Sequence, residues 1–154
     1  MPFVCIGRES NDADVYVLVT RDDQPLLAAA IAEKQSAIHV FQEALVWAGH
    51  LVVGFGEAVH IISLASHAVS SHFLDGYFGH LYATKDALLV SDAAYLWRMT
   101  ADGSIAWRSA PLGIDGVVVT AVEDDVVRGE GEYDPPGGWK PFRVALATGR
   151  PITD

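Results

Sequence analysis

Cysteine is almost missing: Cys5 is the one thiol in 154 residues, which excludes an intrachain disulfide framework. Cations are scarce too, with 10 Lys and Arg against 20 Asp and Glu and a net charge of −10. Such a balance lacks the basic clusters that a phosphate backbone rewards, so nucleic acid is not an expected partner. An anionic membrane surface is excluded on the same ground. No apolar run approaches the roughly 20 residues that span a bilayer. The N-terminal MPFVCIGRES has no basic n-region and only a short apolar stretch, so no signal peptide is expected. With one thiol, Cys5, placed in an apolar strand, the expected compartment is a reducing cytoplasm. Motifs are missing as well. There is no G-x-S-x-G elbow, no phosphate-binding glycine loop with its lysine, no H-E-x-x-H and no C-x-x-C.

What is present is apolar. Hydrophobic residues make up 51% of the chain, and a domain of this size buries roughly 68–70% of its unfolded surface. One domain spanning 1–154 with a full core is the expectation. The acidity keeps such a chain soluble and steers it toward a basic partner.

The most regular stretch is Leu88–Arg108, LLVSDAAYLWRMTADGSIAWR. Leu88–Val90 is a short apolar strand. Tyr95, Trp97 and Met99 alternate with Leu96, Arg98 and Thr100, the period of two that puts successive side chains on opposite faces. Ala101-Asp102-Gly103 supplies a tight turn, and Ser104–Ser109 returns. The same outline recurs upstream from Leu51 and downstream from Val126, about 37 residues apart each time, within the range of blade repeats. Four units follow, roughly 1–42, 43–78, 79–115 and 116–154. The last three read as four short strands each. In the first, Pro2–Ile6, Val15–Thr20 and Ala37–Phe41 are strand candidates. Leu26–Ala32 carries two signals: its alanines, Asp22/Asp23 and Pro25 suit a helix, whereas the repeat phase selects a strand. The strand is the reading adopted.

Met99–Trp107, MTADGSIAW, and Ala145–Arg150, ALATGR, resemble the blade motif of quinoprotein-type (PQQ-like, WD-like) β-propellers. In that motif an apolar strand ends in a small polar turn with Gly, and Trp follows four positions later. Gly103 and Trp107 match both positions. Gly149 matches, but Thr153 stands for the Trp, and in the second unit His67 and Ser71 replace both. The resemblance covers about two thirds of the chain. It implies an all-β fold of four-stranded antiparallel units in a small propeller-like array. Four blades is the first choice. The alternatives are three blades plus an N-terminal segment, completed by a second chain as a homo-oligomer, and a β-sandwich. No quinone is implied, because none of that family's cofactor-binding residues is matched.

Two clusters carry candidate chemistry. All six histidines, His39, His50, His60, His67, His72 and His80, fall between positions 36 and 80. A hairpin turning at Ser66 would set His60 opposite His72, a pair that would ligate zinc if Asp75 or His80 joined it. Neither the spacing nor a neighbouring cysteine marks a structural zinc site, and solvated histidines are the plainer account. The second cluster is Val126–Trp139. Val127, Gly129 and Gly131 alternate with Arg128, Glu130 and Glu132, so one strand face is charged and the other nearly bare. Glycine there marks close approach by a backbone or ligand. The insertion Tyr133-Asp134-Pro135-Pro136-Gly137-Gly138-Trp139 follows, and repeat insertions collect on binding faces. Tyr133 and Trp139 on a stiff loop suit recognition; folding Trp139 over an open blade edge is the other account. Glu130, Glu132 and Asp134 have the separation that two-carboxylate hydrolysis or a calcium ion would use.

The functional expectation is a non-enzymatic binding or scaffold protein that engages a protein partner, an immunity or inhibitor type among them. Its binding residues are Tyr133, Asp134, Trp139, Glu130 and Glu132, with no catalytic residue and no cofactor assigned. The alternative is a small metal-dependent hydrolase using His60 and His72 or the acidic strand, with zinc or calcium.

Overall fold

A computed structural model describes residues 1–7, 12–33, 41–133 and 138–153. Its elements are β-strands in four sheets of three or four strands. Sheet I holds β1 (Phe3–Ile6), β2 (Val15–Arg21) and β3 (Gln24–Ile31). Sheet II holds β4 (Gln42–Trp47), β5 (His50–Phe55), β6 (Ala58–Ser63) and β7 (Val69–Phe73). Sheet III holds β8 (Phe78–Ala83), β9 (Leu88–Asp92), β10 (Leu96–Met99) and β11 (Ile105–Arg108). Sheet IV holds β12 (Val117–Glu123), β13 (Val126–Glu132) and β14 (Trp139–Ala145).

Sheets II and III are antiparallel meanders in sequence order. The ends of the chain depart from the expected four-strand unit. In sheet IV the return after Gly149 is reduced to an isolated bridge between Val144 and Pro151. Two backbone bonds flank that bridge, Ala145 N–H to the Arg150 oxygen at 2.9 Å and Ile152 N–H to the Arg143 oxygen at 3.0 Å. Sheet I runs β1-β3-β2, and β1 pairs parallel to β3. The expected last strand of that unit, Ala37–Phe41, lies outside the described residues except for Phe41, which is not in a strand.

Leu26–Ala32 is resolved in favour of the strand: β3 spans Gln24–Ile31. Asp22 and Asp23 do not cap a helix. With φ of 50° and 61° they form a two-residue hairpin turn of the kind whose twist suits antiparallel strands. Asp124 and Asp125 do the same between β12 and β13, with φ of 52° and 61°.

The sheets stack face to face. Val19, Leu27, Ile31, Leu51, Val53 and Ile62 fill the join between I and II. Val52, Val59, Ile61, Phe78, Leu88 and Val90 fill the join between II and III. Leu89, Leu96, Leu112, Val117, Val127 and Val144 fill the join between III and IV. A middle sheet must therefore be apolar on both faces, and β9 is buried throughout as LLVSD. Among the described residues no core cluster joins IV back to I.

Candidate functional site

The leading strand of sheet III, β8, lies against both β4 and β12. These strands begin at one end of the stack, and the segments that feed them gather there. Phe41 precedes β4, Tyr77 precedes β8 and Asp115 precedes β12. With His80 on β8, Glu132 at the end of β13 and Trp139 at the start of β14, they line a cleft of about 340 Å3.

The cleft is held by side chains that cross from one sheet to the next. Glu43 on β4 accepts the amide of Leu81 at 3.0 Å, and its other oxygen lies 2.7 Å from His80 Nδ1. That contact puts a ring proton on Nδ1, donated to the carboxylate. The Phe41 ring lies 4.7 Å from the His80 ring. Tyr77 donates its hydroxyl to Asp115, 2.9 Å from Oδ1 and 2.8 Å from the backbone oxygen. Burial, then the bond to Asp115, then the charges of Asp115, Glu132 and Asp92 raise the Tyr77 phenol well above its usual range. The smaller, charge-driven part of that shift comes from the three carboxylates gathered at this end of the stack.

Asp92 forms the floor and is fully buried. Its Oδ1 accepts the amides of Ala94 at 2.9 Å and Tyr95 at 2.7 Å. Its Oδ2 accepts the amide of Asp75 at 3.1 Å and the Trp97 indole at 2.8 Å. Four donors satisfy the buried carboxylate and tie the connector at Asp75 to sheet III.

The residues expected from the sequence divide. Trp139 and Glu132 are register partners on β14 and β13 and both border the cleft. Trp139 is 43% exposed and lies over Gly116, so it is neither fully presented nor folded away as a cap. Tyr133 sits beside the mouth with the Lys140 ammonium 5.0 Å from its ring, and Gly138 closes the loop by accepting the Tyr133 amide at 2.9 Å. Glu130 is not brought to the cleft. It lies on the outer face of sheet IV with Arg128, Pro141 and Arg143. Asp134 lies outside the described residues. The bare face of β13 is explained by backbone: a Cβ on Gly131 would fall 1.7 Å from the carbonyl oxygen of Leu112.

The histidine pair is corrected. His60 is opposite Ser71, and His72 is opposite Val59. The register is one residue from the expected one, and one residue moves a side chain to the other face. His60 faces sheet I with Val53 and Ile62. Its Nδ1 is 2.8 Å from Ser71 Oγ, and burial, helped by the charge of His72, pushes the ring down to about 4. His72 faces sheet III, where its Nε2 meets the Gly103 oxygen at 2.6 Å. A zinc ion cannot take both. Among the described residues no group of three or more His, Cys, Asp or Glu comes together to hold a metal.

Sequence reasoning missed Glu43, Tyr77, Asp92 and Asp115 as members of the site. No local spacing marks them, but the repeat period does. Glu43 and His80 are 37 apart, Tyr77 and Asp115 38 apart. Trp47 donates to the Thr84 oxygen 37 residues on, and Trp107 to the Leu146 oxygen 39 on. Residues one repeat apart face each other across a sheet join.

No protein-family model matches the chain, and no curated protein matches it.

Proposed function

We propose that this chain is a non-enzymatic binding protein whose cleft, bounded by Phe41, Tyr77, His80, Asp115, Glu132 and Trp139, takes a basic segment of a protein partner. The observation that carries the reading is chemical. The carboxylates of Asp115 and Glu132 stand at the mouth, the Tyr77 hydroxyl and His80 Nδ1 are engaged within the protein, and the walls are aromatic. Ammonium and guanidinium groups bring several donors and are favoured over aromatic faces. The surplus of acidic residues adds long-range steering toward the same class of partner. An inhibitor or immunity role toward a basic protein in the cytoplasm fits that chemistry. Nucleic acid and anionic membranes do not. The stacked sheets, with their leading strands on one edge, are read as an open propeller-like array whose connectors form the binding end.

Panning random displayed peptides on the wild-type chain and on Trp139→Ala and Asp115→Asn tests this. Lys- or Arg-bearing peptides should be enriched on the wild type and bind each variant at least about tenfold more weakly. Failure to enrich any peptide, or equal retention by Trp139→Ala, sinks the reading. The second reading, a small hydrolase, is favoured by one arrangement, His80 lining the cleft with its Nδ1 held by Glu43. Hydrolysis of an ester panel that His80→Gln abolishes would move the assignment there.

A further inference from the structure

One wall of the cleft is fixed in direction as well as in charge. The connector before β12 is clamped by backbone. The amides of Ile114 and Asp115 both donate to the Glu132 oxygen, at 2.7 and 3.3 Å. Glu132 N–H returns a bond to the Gly116 oxygen at 2.9 Å, and Gly116 N–H reaches the Ala93 oxygen at 2.8 Å. The Asp115 carboxylate on this connector is then turned by Tyr77, whose hydroxyl lies 2.9 Å from Oδ1. Among the described residues no donor reaches its Oδ2, and the side chain is exposed. Trp139 packs on the next position, since a Cβ on Gly116 would fall 3.1 Å from its ring. An oriented carboxylate and an accessible indole therefore stand side by side.

We infer that the cleft takes an arginine side chain in preference to lysine, with the guanidinium against Trp139 and paired with the Asp115 carboxylate that Tyr77 positions. This rests on the reading of the cleft as the site of a basic segment, and it names which basic group. A guanidinium is planar, and its donors form a fixed fork that meets two carboxylate oxygens at once. It is weakly hydrated and lies readily on an aromatic ring. An ammonium is a compact, strongly hydrated point charge that gains little from a carboxylate's direction. The fork benefits most where the carboxylate is already oriented, which is what Tyr77 supplies. The bond from Tyr77 leaves Oδ1 a second lone pair for a donor.

Size and an internal example agree with this. A cleft of about 340 Å3 is near the bottom of the roughly 300–1,000 Å3 range of ligand sites, room for one long side chain. The chain already satisfies one of its own guanidinium groups with the same two kinds of partner. Arg108 lies 4.5 Å from the Tyr95 ring and 5.5 Å from that of Trp97, and it pairs with the Asp75 carboxylate. Asp75 is on the connector that carries Tyr77.

Three blocked tripeptides, Gly-Arg-Gly, Gly-Lys-Gly and Gly-citrulline-Gly, titrated to roughly 10 mM into the isotope-labelled chain, test this at the Trp139 indole N–H resonance. The Arg peptide should bind at least about fivefold more tightly than the Lys peptide. The citrulline peptide, planar but uncharged, should bind at least about tenfold more weakly than the Arg peptide. Tyr77→Phe should bring the Arg-to-Lys ratio within about twofold of one and leave the Lys affinity within about twofold of wild type. Loss of packing alone would weaken both peptides together. Asp115→Glu keeps the charge but shifts the carboxylate, and should also erase the preference. It is the second variant should Tyr77→Phe fail a thermal melt. Wild type that binds Lys as tightly as Arg, or citrulline as tightly as Arg, overturns the inference. So does a preference that survives both variants. Equal binding of Arg and Lys leaves the basic-segment reading standing, whereas a resonance that neither peptide moves sinks both.

Discussion

Sheet I is attached to its neighbour differently from sheets III and IV. The II–III join is crossed by Glu43 to His80 and Leu81, by Trp47 to Thr84 and by His72 to Gly103. The III–IV join is crossed by Arg98 and Trp107, both donating to the Leu146 oxygen at 2.8 and 2.9 Å. At the I–II join a comparable strap among the described residues is Glu33, which accepts the Glu57 amide at 2.8 Å. Clefts of about 310 and 210 Å3 run between β2 and β4 there. With three strands, sheet I also leaves Val69 and Phe73 of β7 uncovered at 41% and 78% exposure. The difference teaches what each device does. Apolar faces bring sheets together without fixing an orientation, whereas the hydrogen bonds fix how one sheet sits on the next. Sheets II to IV should therefore unfold as one body, and sheet I should open first.

The most damaging way to break the strapped body is at its floor. Asp92→Ala removes the acceptor for four N–H groups, two of them in the turn after β9. Stranding buried donors on this scale is expected to lose about 3–5 kcal/mol, read from a urea denaturation midpoint. Asp92→Asn keeps one oxygen and should lose about half of that. A loss under about 1 kcal/mol for Asp92→Ala would show that the connectors are held by packing alone.

Acid should loosen the weak join selectively. His60 sits in the I–II join, and its ring is lowered from 6.5 to about 4 by burial. Its neutral form is the folded form, so the folded state is unpenalised above about pH 6.5. As pH falls toward 4 the unfolded chain takes up the proton first and stability drops, by about 3 kcal/mol at the limit. The expected readout is hydrogen exchange: amides of β1 to β3 should accelerate between pH 6.5 and 4, corrected for intrinsic rates, while those of β9 hold. A His60→Leu variant should flatten that pH dependence. If it keeps the wild-type slope, carboxylates elsewhere set the acid response. A parallel comparison sharpens the contrast. At neutral pH the slowest amides of sheet I should already exchange at least about tenfold faster than those of β9.

How much of this was readable beforehand follows from where the signal lies. The middle units were legible because strand, turn and return are local, and alternation over Tyr95–Met99 already states which side faces which sheet. The alanine-rich β3 was ambiguous because alanine suits a helix by propensity, and only packing between two apolar sheet faces overrides it. The parallel β1 was not legible, since pairing partner is a long-range choice that a four-residue apolar strand does not encode. At the cleft, Trp139 and Glu132 could be singled out from the sequence because an insertion breaks the repeat. The zinc pair failed by one residue of register, which no pattern over Val59–Leu74 fixes when both faces of β6 are apolar. The remaining members become visible only when the repeats are laid side by side.

The smallest effect tests that last idea directly. The motif's Trp packs on the Gly of the next unit: a Cβ on Gly149 of sheet IV would fall 2.4 Å from the ring of Trp107 of sheet III. The indole lies against the turn and sends its N–H to Leu146, so the pair is a strap between two sheets rather than a feature of either. In the second unit Ser71 stands at the motif's Trp position, and His72 next to it performs the same task toward Gly103 with its Nε2. Trp107→Phe keeps an apolar ring against Gly149 and removes only the hydrogen bond. It should lose about 1 kcal/mol, the net worth of one such bond, in the same urea assay. His72→Phe should lose a similar amount at the neighbouring join. Because the two straps sit in different joins with no shared partner, the double variant should be additive within about 0.5 kcal/mol. A larger coupling would mean that the joins transmit strain to each other, and that sheets II to IV are tied through more than their separate straps.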